Sequence, residues 1–248
     1  MIRISVGLAA AIVSLLACGA ASAQNMPAYV TAAVSDKDRP AADIMRDADR
    51  KPAETLAFST VKPGDNVLEL IAGGGYFTRI LSKTVGARGH VYATVAEGFL
   101  AARPQSADGL KAIAADPAYP NVTMLVQPTG SPTAPEPVDV VWTTLNYHDL
   151  HNPGAMGAGD MDAFNKSVFA ALKPGGVFFV VDHAAAKGAG FTQTGTLHRI
   201  EPDPAKAEIM KAGFVFDGES KALARDEPHT AHSDDKDDMF IFRFRKPR

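Results

Sequence analysis

The sequence predicts an α/β fold in which helices cover both faces of a doubly wound, mainly parallel sheet. The first observation is the stretch 66–83, where a short apolar run typical of a buried parallel strand is followed by three glycines and an amphipathic helical pattern. The second is the alternation of apolar runs with helical segments that continues toward the C-terminus. The third is the alternation of apolar with other residues over 239–246, which is typical of an antiparallel strand.

Three consecutive glycines, Gly73 to Gly75, connect the first strand to the helix. Glycine suits this turn because the backbone there adopts angles that are costly for other residues. A side chain would also keep a ligand away from the backbone amides at the start of the helix. A tight turn without a ligand would select glycine too, so the surrounding sequence has to decide between the two interpretations.

The N-terminus has the pattern of an exported protein. Arg3 provides a positive start, residues 4–17 are apolar, and Ala21-Ser22-Ala23 forms a small-residue cleavage site. We therefore expect a signal peptide over 1–23, cleaved after Ala23, and a periplasmic or secreted protein. The apolar run is too short to predict a stable membrane span.

Lipidation is the alternative. Leu15-Leu-Ala-Cys18 resembles the bacterial lipobox, in which the cysteine carries a lipid anchor. Cys18 is the only cysteine, so the mature protein has no disulfide framework and no cysteine nucleophile.

Composition excludes several classes of protein. The 248 residues suffice for one α/β domain, and 46% hydrophobic with 21% charged residues is ordinary for a globular protein. The net charge of −3 comes without a dominant basic patch, which argues against a nucleic-acid partner. We expect a small-molecule partner instead.

The elements follow in order from the mature N-terminus. Residues 24–37 are expected to form a flexible leader, 38–51 a charged and mostly helical stretch, and 53–58 a second helix that starts at Pro52. Strands are then predicted at 66–71, 90–95, 122–127, 138–143, 177–182, 214–219 and 239–244, and the helices between them at 76–84, 96–115 (interrupted near Pro104), 161–172 and 203–212.

Two motifs resemble those of the class I S-adenosylmethionine (SAM) methyltransferases. Glu69-Leu-Ile-Ala-Gly-Gly-Gly75 is similar to their first motif, an acid-x-G-x-G-x-G turn after the first strand, with Ile71 at the place of the first glycine. Leu172-Lys-Pro-Gly-Gly176 resembles their turn before the fifth strand. The likeness extends over 38–248 as one domain. It looks closest to an exported bacterial group of predicted methyltransferases with an Asn-Tyr-His-Asp segment after the fourth strand.

The resemblance implies a Rossmann-like seven-stranded methyltransferase sheet with an antiparallel last strand, and SAM as cofactor. The implied cofactor-binding residues are Glu69, Ala72, Gly73, Gly74, Gly75, Glu97 and Asn146. Val95 stands where the family has an acid that binds the ribose hydroxyls, with Glu97 two residues on. Pro128 stands near the position that approaches the adenine.

The segment after the fourth predicted strand supplies the candidate catalytic residues. In open α/β sheets ligands bind at the carboxyl ends of the strands, and here that end carries Tyr147, His148 and Asp149. His148 is the preferred general base because imidazole titrates near neutrality, with Asp149 to orient it and His183 as a substitute. The alternative is that these histidines only cap or bridge loops.

A metal site is the competing interpretation of these histidines. The sequence contains His148-x-x-His151, Asp182-His183, His198 and His229-x-x-His232, but these spacings match no closed zinc pattern. We therefore predict no metal ligand. The leading hypothesis is a SAM-dependent methyltransferase acting on a small molecule, and the alternative is a non-catalytic periplasmic module that binds a small ligand or a metal on the same fold.

Overall fold

The computed structural model describes residues 26–248, so the expected signal peptide and Cys18 lie outside the described residues. The strands are β1 (Asn66–Leu70), β2 (His90–Ala96), β3 (Val122–Gln127), β4 (Val138–Thr144), β5 (Leu172–His183), β6 (Val215–Ser220) and β7 (Met239–Arg245). They form one sheet in the order β3-β2-β1-β4-β5-β7-β6. The first five strands are parallel, and β7 is antiparallel to both β5 and β6. The predicted doubly wound sheet with an antiparallel last strand is confirmed.

Nine α-helices lie within the described residues. They are α1 (Ala28–Val34), α2 (Ala41–Ile44), α3 (Asp47–Arg50), α4 (Pro52–Ser59), α5 (Tyr76–Val85), α6 (Glu97–Ala102), α7 (Asp108–Ala115), α8 (Met161–Ala171) and α9 (Pro202–Lys211). Within residues 26–248, no helix combines the length and the apolar composition that a membrane span needs.

Two apolar cores, one on each face of the sheet, hold the helices in place. Successive residues of β1 show the division: Val67 belongs to the core beneath α1, α4, α5 and α7, whereas Leu68 belongs to the core beneath α8 and α9. Side chains alternate between the faces of a strand, so a strand buried on both faces must be apolar almost throughout. This is why the central strands were recognisable as continuous apolar runs.

The N-terminal prediction was wrong in one respect. Residues 24–37 were expected to form a flexible leader, yet α1 packs against α4 and α5 and buries Val30 and Ala33 completely or nearly so. These two residues are three positions apart and therefore share one helix face. The apolar face was too short to stand out in the sequence.

Two further boundaries differ from the prediction. The charged stretch 38–51 forms the two one-turn helices α2 and α3 rather than one longer helix, and Lys51 ends α3 in a left-handed conformation. The Leu-Lys-Pro-Gly-Gly turn lies inside β5 as an irregularity: Leu172 already pairs with Val138, and regular pairing resumes at Val177.

The glycine turn gives a test of the local fold. Gly73 and Gly75 both have positive φ, at 57° and 81°, but a methyl group on Gly75 would overlap the buried Ile113 side chain, whereas one on Gly73 would meet nothing within 4 Å. We expect Gly73→Ala to cost about 1–2 kcal/mol of unfolding free energy from backbone strain alone. Gly75→Ala should cost roughly 1–3 kcal/mol more because of overpacking, as measured by urea unfolding. Equal losses in the two variants would contradict this packing.

Candidate functional site

The carboxyl ends of β1, β4 and β5 open into one cavity of about 440 Å³. This lies within the usual size range of small-ligand sites. The opposite wall comes from the N-terminal helices and from the loop before β7. The lining residues are Asp43, Arg46, Arg50, Ile71, Ala72, Gly73, Gly74, Tyr76, Thr144, Leu145, Asn146, His148, Asp149, His183, His198, His232, Asp234 and Asp235.

The glycine turn forms an open wall of this cavity. Ala72, Gly73 and Gly74 line it, and a Cβ atom on either glycine would have no neighbour within 4 Å. Neither glycine donates its N–H to a backbone carbonyl of the described residues. The turn therefore lines the cavity with backbone that no side chain covers. Whether it binds the cofactor stays a prediction. Gly75 instead begins α5 and does not line the cavity.

Ile71 holds a backbone conformation that normally favours glycine. Its φ is +51°, which is costly for a β-branched residue. Two hydrogen bonds hold it there: its N–H donates to Thr94 Oγ1 at 2.9 Å, and its carbonyl accepts from Asn146 Nδ2 at 3.2 Å. The motif thus keeps the shape of the turn without the first glycine. Asn146 lines the cavity and holds the turn in place through this hydrogen bond.

Backbone strain is concentrated at this cavity. Among the described residues, seven non-glycine residues have positive φ, and four of them line the cavity, namely Ile71, Leu145, His198 and Asp234. Such conformations cost on the order of 1–3 kcal/mol each and persist only where the surroundings enforce them. Their concentration here marks the cavity as a candidate functional site.

Asp182, at the end of β5, fixes the position of His148. Its carboxylate accepts from the His148 backbone N–H at 2.6 Å and lies 2.7 Å from His148 Nδ1. Burial opposes the charged imidazolium, but the negative charges of Asp182 and Asp149 prevail and raise the pKa of His148 to about 10. A histidine that is protonated at neutral pH cannot act as a general base. The expected base therefore lines the cavity but carries the wrong charge for that role.

His183 has the opposite character. Burial lowers its pKa to about 4, so the ring is neutral near pH 7. Its Nδ1 atom is buried and has no hydrogen-bond partner among the described residues. The substitute base of the sequence analysis therefore lies in the cavity wall as a neutral imidazole.

Tyr147 points away from the cavity. It is fully buried, and its hydroxyl donates to Glu208 at 2.7 Å and accepts from Asn165 Nδ2 at 2.9 Å. Burial and the Glu208 charge raise the pKa of Tyr147 well above its usual value. His151 also contacts Glu208, at 3.1 Å. Tyr147 therefore has a structural position rather than the predicted place beside the acceptor.

The two acidic residues expected to bind the cofactor also lie outside the cavity lining. Glu69 is buried and accepts from Thr78 Oγ1 at 2.6 Å, which ties β1 to α5. Glu97 is exposed at the start of α6. Only Asn146 and the backbone of residues 72–74 remain from the predicted cofactor set on the cavity surface.

The space beyond β2 and β3 is almost closed. A cavity of only about 10 Å³ remains between Ile71, Val95 and Pro128. The loop 152–160 covers this region, since a Cβ on Gly98 would lie 3.1 Å from the carbonyl oxygen of Ala155. Gly130 is covered in the same way by the Ala158 carbonyl.

Two cavity residues were missed as members of one site. His198 lies in the long segment between β5 and α9, and His232 in the loop before β7, yet both rings reach the cavity beside His148. Their separation in sequence is set by loop paths, and no short motif encodes it. The sequence analysis considered both among possible metal ligands, but no spacing pattern joined them to His148.

Solved structures with the same fold are methyltransferases of low sequence identity. A SAM-dependent methyltransferase from Aquifex aeolicus has a TM-score of 0.53 and 18% identity over 81% of this chain and 97% of its own. One from Mesorhizobium loti has 0.57 and 15% over 81% and 100%. Aeropyrum pernix fibrillarin, solved with natively bound SAM, has 0.51 and 16% over 80% and 76%. At these identities the likeness shows the methyltransferase Rossmann-like fold alone. No protein-family model and no curated protein matches the chain.

Glu69 provides a test through pH. Burial raises the pKa of its carboxyl from 4.5 to about 8, although the Thr78 hydrogen bond and the Arg79 charge act in the other direction. At a pH between these two pKa values, Glu69 is ionised in the unfolded chain but still protonated in the folded chain. The free energy of unfolding therefore falls as pH rises, by up to about 1.4 kcal/mol per pH unit. Glu69→Gln removes this titration. Urea unfolding from about pH 5 to pH 8 should show the variant gaining stability relative to the original chain, and a constant difference would refute the assignment.

Proposed function

We propose that the chain is a SAM-dependent methyltransferase that acts on a small molecule after export to the periplasm. The observation that carries the proposal is the open wall formed by Gly73 and Gly74, which line the cavity at the carboxyl end of β1 and whose amides donate to no backbone carbonyl of the described residues. In open α/β sheets this is where ligands bind. The fold shared with solved SAM methyltransferases supports the same conclusion.

The residues present fit the methionine half of SAM. The amides of Gly73 and Gly74 would hold its polar groups, and Asn146 lies on the same surface. Arg46 and Arg50 line the cavity as well and are paired with Asp235. When bound, SAM supplies an electrophilic methyl group. The chain itself would contribute positioning and the exclusion of water, which account for most of the catalysis that such a transfer needs.

His148 would donate a hydrogen bond to the acceptor. Its raised pKa keeps it protonated, and its Nδ1 atom is held by Asp182, which leaves Nε2 on the cavity side near Asp149. An acceptor that is already nucleophilic, such as an amine or a thiolate, suits this arrangement better than a neutral alcohol, because none of these contacts supplies a strong base.

Export is supported by the N-terminal sequence pattern of residues 1–23. Apart from Cys18 the chain has no cysteine, which suits an oxidising compartment. A lipid anchor at Cys18 remains the alternative mode of export.

A second candidate function is a non-catalytic binding module on the same fold. The nearly closed space between Ile71, Val95 and Pro128 favours it, because a nucleoside could enter there only if the loop 152–160 moved. A ligand without a nucleoside would need only the larger cavity.

Calorimetry with SAM tests the glycine wall. We expect Gly73→Phe to weaken SAM binding about 100-fold or more, because the side chain would occupy the cavity. Gly64→Phe is a matched control, since Gly64 also has positive φ, at +91°, and an open Cβ direction but does not line the cavity. Equal SAM affinity in Gly73→Phe and the original chain would remove the site assignment.

Methyl transfer itself needs a separate measurement. The mature chain, incubated with methyl-labelled SAM and a low-molecular-weight periplasmic extract, should transfer the label to a compound in that extract. Binding of SAM without labelled product in this extract, and without labelled protein, would favour the non-catalytic module.

A further inference from the structure

We propose that the cavity binds a divalent transition-metal ion through His148, Asp149 and His198. These residues lie within a histidine quartet made of His148, His183, His198 and His232. The proposal does not depend on SAM binding. A bound ion would displace the proton from His148 Nε2 and would take the place of the hydrogen bond that the metal-free imidazolium donates to an acceptor.

The spacing of the donor atoms around Asp149 fits one shared ion. Asp149 Oδ1 lies 3.4 Å from His148 Nε2 and 3.3 Å from His198 Nδ1. Both distances are longer than usual hydrogen bonds, which run to about 3.2 Å. Two ligands bonded at about 2.0–2.1 Å to a tetrahedral ion are about 3.3–3.4 Å apart. The three donor atoms lie within 4.8 Å of one another, as a common ion requires.

The rings of the quartet are arranged around a common centre. Neighbouring ring centroids are between 4.9 and 5.7 Å apart, in the cyclic order His148, His198, His232, His183. Two imidazoles bound to one tetrahedral ion would have centroids about 5 Å apart. The rings of His232 and His183 thus lie next to the proposed ligands, while their own donor atoms form a neighbouring group with Asp237.

Carboxylates beyond the quartet fix the orientation of two of its rings. Asp182 Oδ1 lies 2.7 Å from His148 Nδ1, and Asp237 Oδ2 lies 2.7 Å from His232 Nδ1. Metal-binding histidines typically have such a partner on the nitrogen that faces away from the metal. Asp237 is itself held by the buried Arg199 at 2.7 Å. His148 Nε2 thus faces the proposed ion, whereas His232 Nε2 lies 3.0 Å from the exposed Asp234 Oδ1.

His183 adds an independent indication of a missing ligand. Its side chain is 3% exposed, and its Nδ1 atom has no hydrogen-bond partner among the described residues. It lies 3.4 Å from Asp237 Oδ2, again a long contact. Buried polar atoms are nearly always satisfied, so an unpartnered nitrogen beside the imidazoles of His148 and His232 indicates a group that the protein binds there.

The surroundings favour a cation and allow it to enter. Within the described residues, the only ion-pair partners of Asp149 are His148 and His198, and no lysine or arginine pairs with it. The His198 side chain is 47% exposed, so this ligand lies at the entrance. Its backbone is strained, with φ at +51°, which shows that the fold enforces this position.

The donor set selects the class of metal. Imidazole nitrogens with a carboxylate oxygen suit zinc, copper, nickel, cobalt or iron, whereas magnesium and calcium require oxygen ligands almost exclusively. Zn²⁺ and Co²⁺ are therefore the appropriate probes.

The test uses the mature chain without an affinity tag, after treatment with a chelator. Calorimetric titration with Zn²⁺ should show one tight site. Co²⁺ should give the visible absorption of a four-coordinate site. We expect His198→Ala and Asp149→Asn each to weaken Zn²⁺ binding by at least about tenfold, as loss of a metal ligand does. His90→Ala is the control, because His90 bonds Thr123 at the other end of the sheet.

Each outcome decides the proposal. Thermal unfolding of each variant shows whether it is folded, and the exposed His198 makes His198→Ala the safest variant. Absence of Zn²⁺ binding by the original chain, or unchanged affinity in both His198→Ala and Asp149→Asn, overturns the site. Loss of binding only in His183→Ala and His232→Ala would place the ion on the neighbouring group of His183, His232 and Asp237 and would overturn the proposed ligands. SAM titration of the metal-free chain is a separate readout, and its failure would not affect the Zn²⁺ result.

Discussion

The carboxylate of Asp182 holds the candidate site together. It is fully buried at the end of β5 and accepts from two backbone N–H groups, those of His148 and His183, while Nδ1 of the His148 ring lies at hydrogen-bond distance. Hydrogen bonds to a charged acceptor are among the stronger polar interactions in proteins. These contacts fasten the segment after β4 to the neighbouring strand. The cavity, the direction of His148 Nε2 and the place of Asp149 all depend on that attachment.

A second constraint acts at the carboxyl ends of β1, β2 and β3. Ile71 keeps the glycine-like turn at a cost in backbone energy, and its side chain, with Val95, fills the space beyond β1 and β2. The loop 152–160 covers what is left. The larger cavity therefore lies toward the carboxyl ends of β4 and β5, close to the histidines. A SAM methyltransferase built this way needs loop movement to admit adenosine, while a metal ion needs none.

The fold was largely predictable because its determinants are local. Apolar runs such as 177–182 and the glycine turn at 73–75 encode strands and a connection without reference to distant residues. The helix Ala28–Val34 escaped because only Val30 and Ala33 mark its buried face. The charged stretch before Pro52 is interrupted between Ile44 and Asp47, where no glycine or proline marks the end of a helix.

The site was predictable only where it follows a strand directly. Gly73, Asn146 and His148 line one cavity because the ends of parallel strands meet at one edge of the sheet. The prediction for Tyr147 was wrong because its side chain lies in the core, whereas that of the next residue, His148, faces the cavity. The charge of His148 depends on Asp182, 34 residues away, and the quartet depends on His198 and His232 from separate loops. Such pairings arise from tertiary structure and are not readable from spacing.

The central claim is that the cavity wall at Gly73 and Gly74 is a binding surface for the methionine half of SAM. A crystal structure of the mature chain soaked with S-adenosylhomocysteine tests it most directly. The account predicts density for the amino-acid portion of the ligand against these two glycines, with the loop 152–160 displaced around the adenosine. Saturating ligand that leaves the glycine wall bare, in crystals whose loop is free to move, would contradict it.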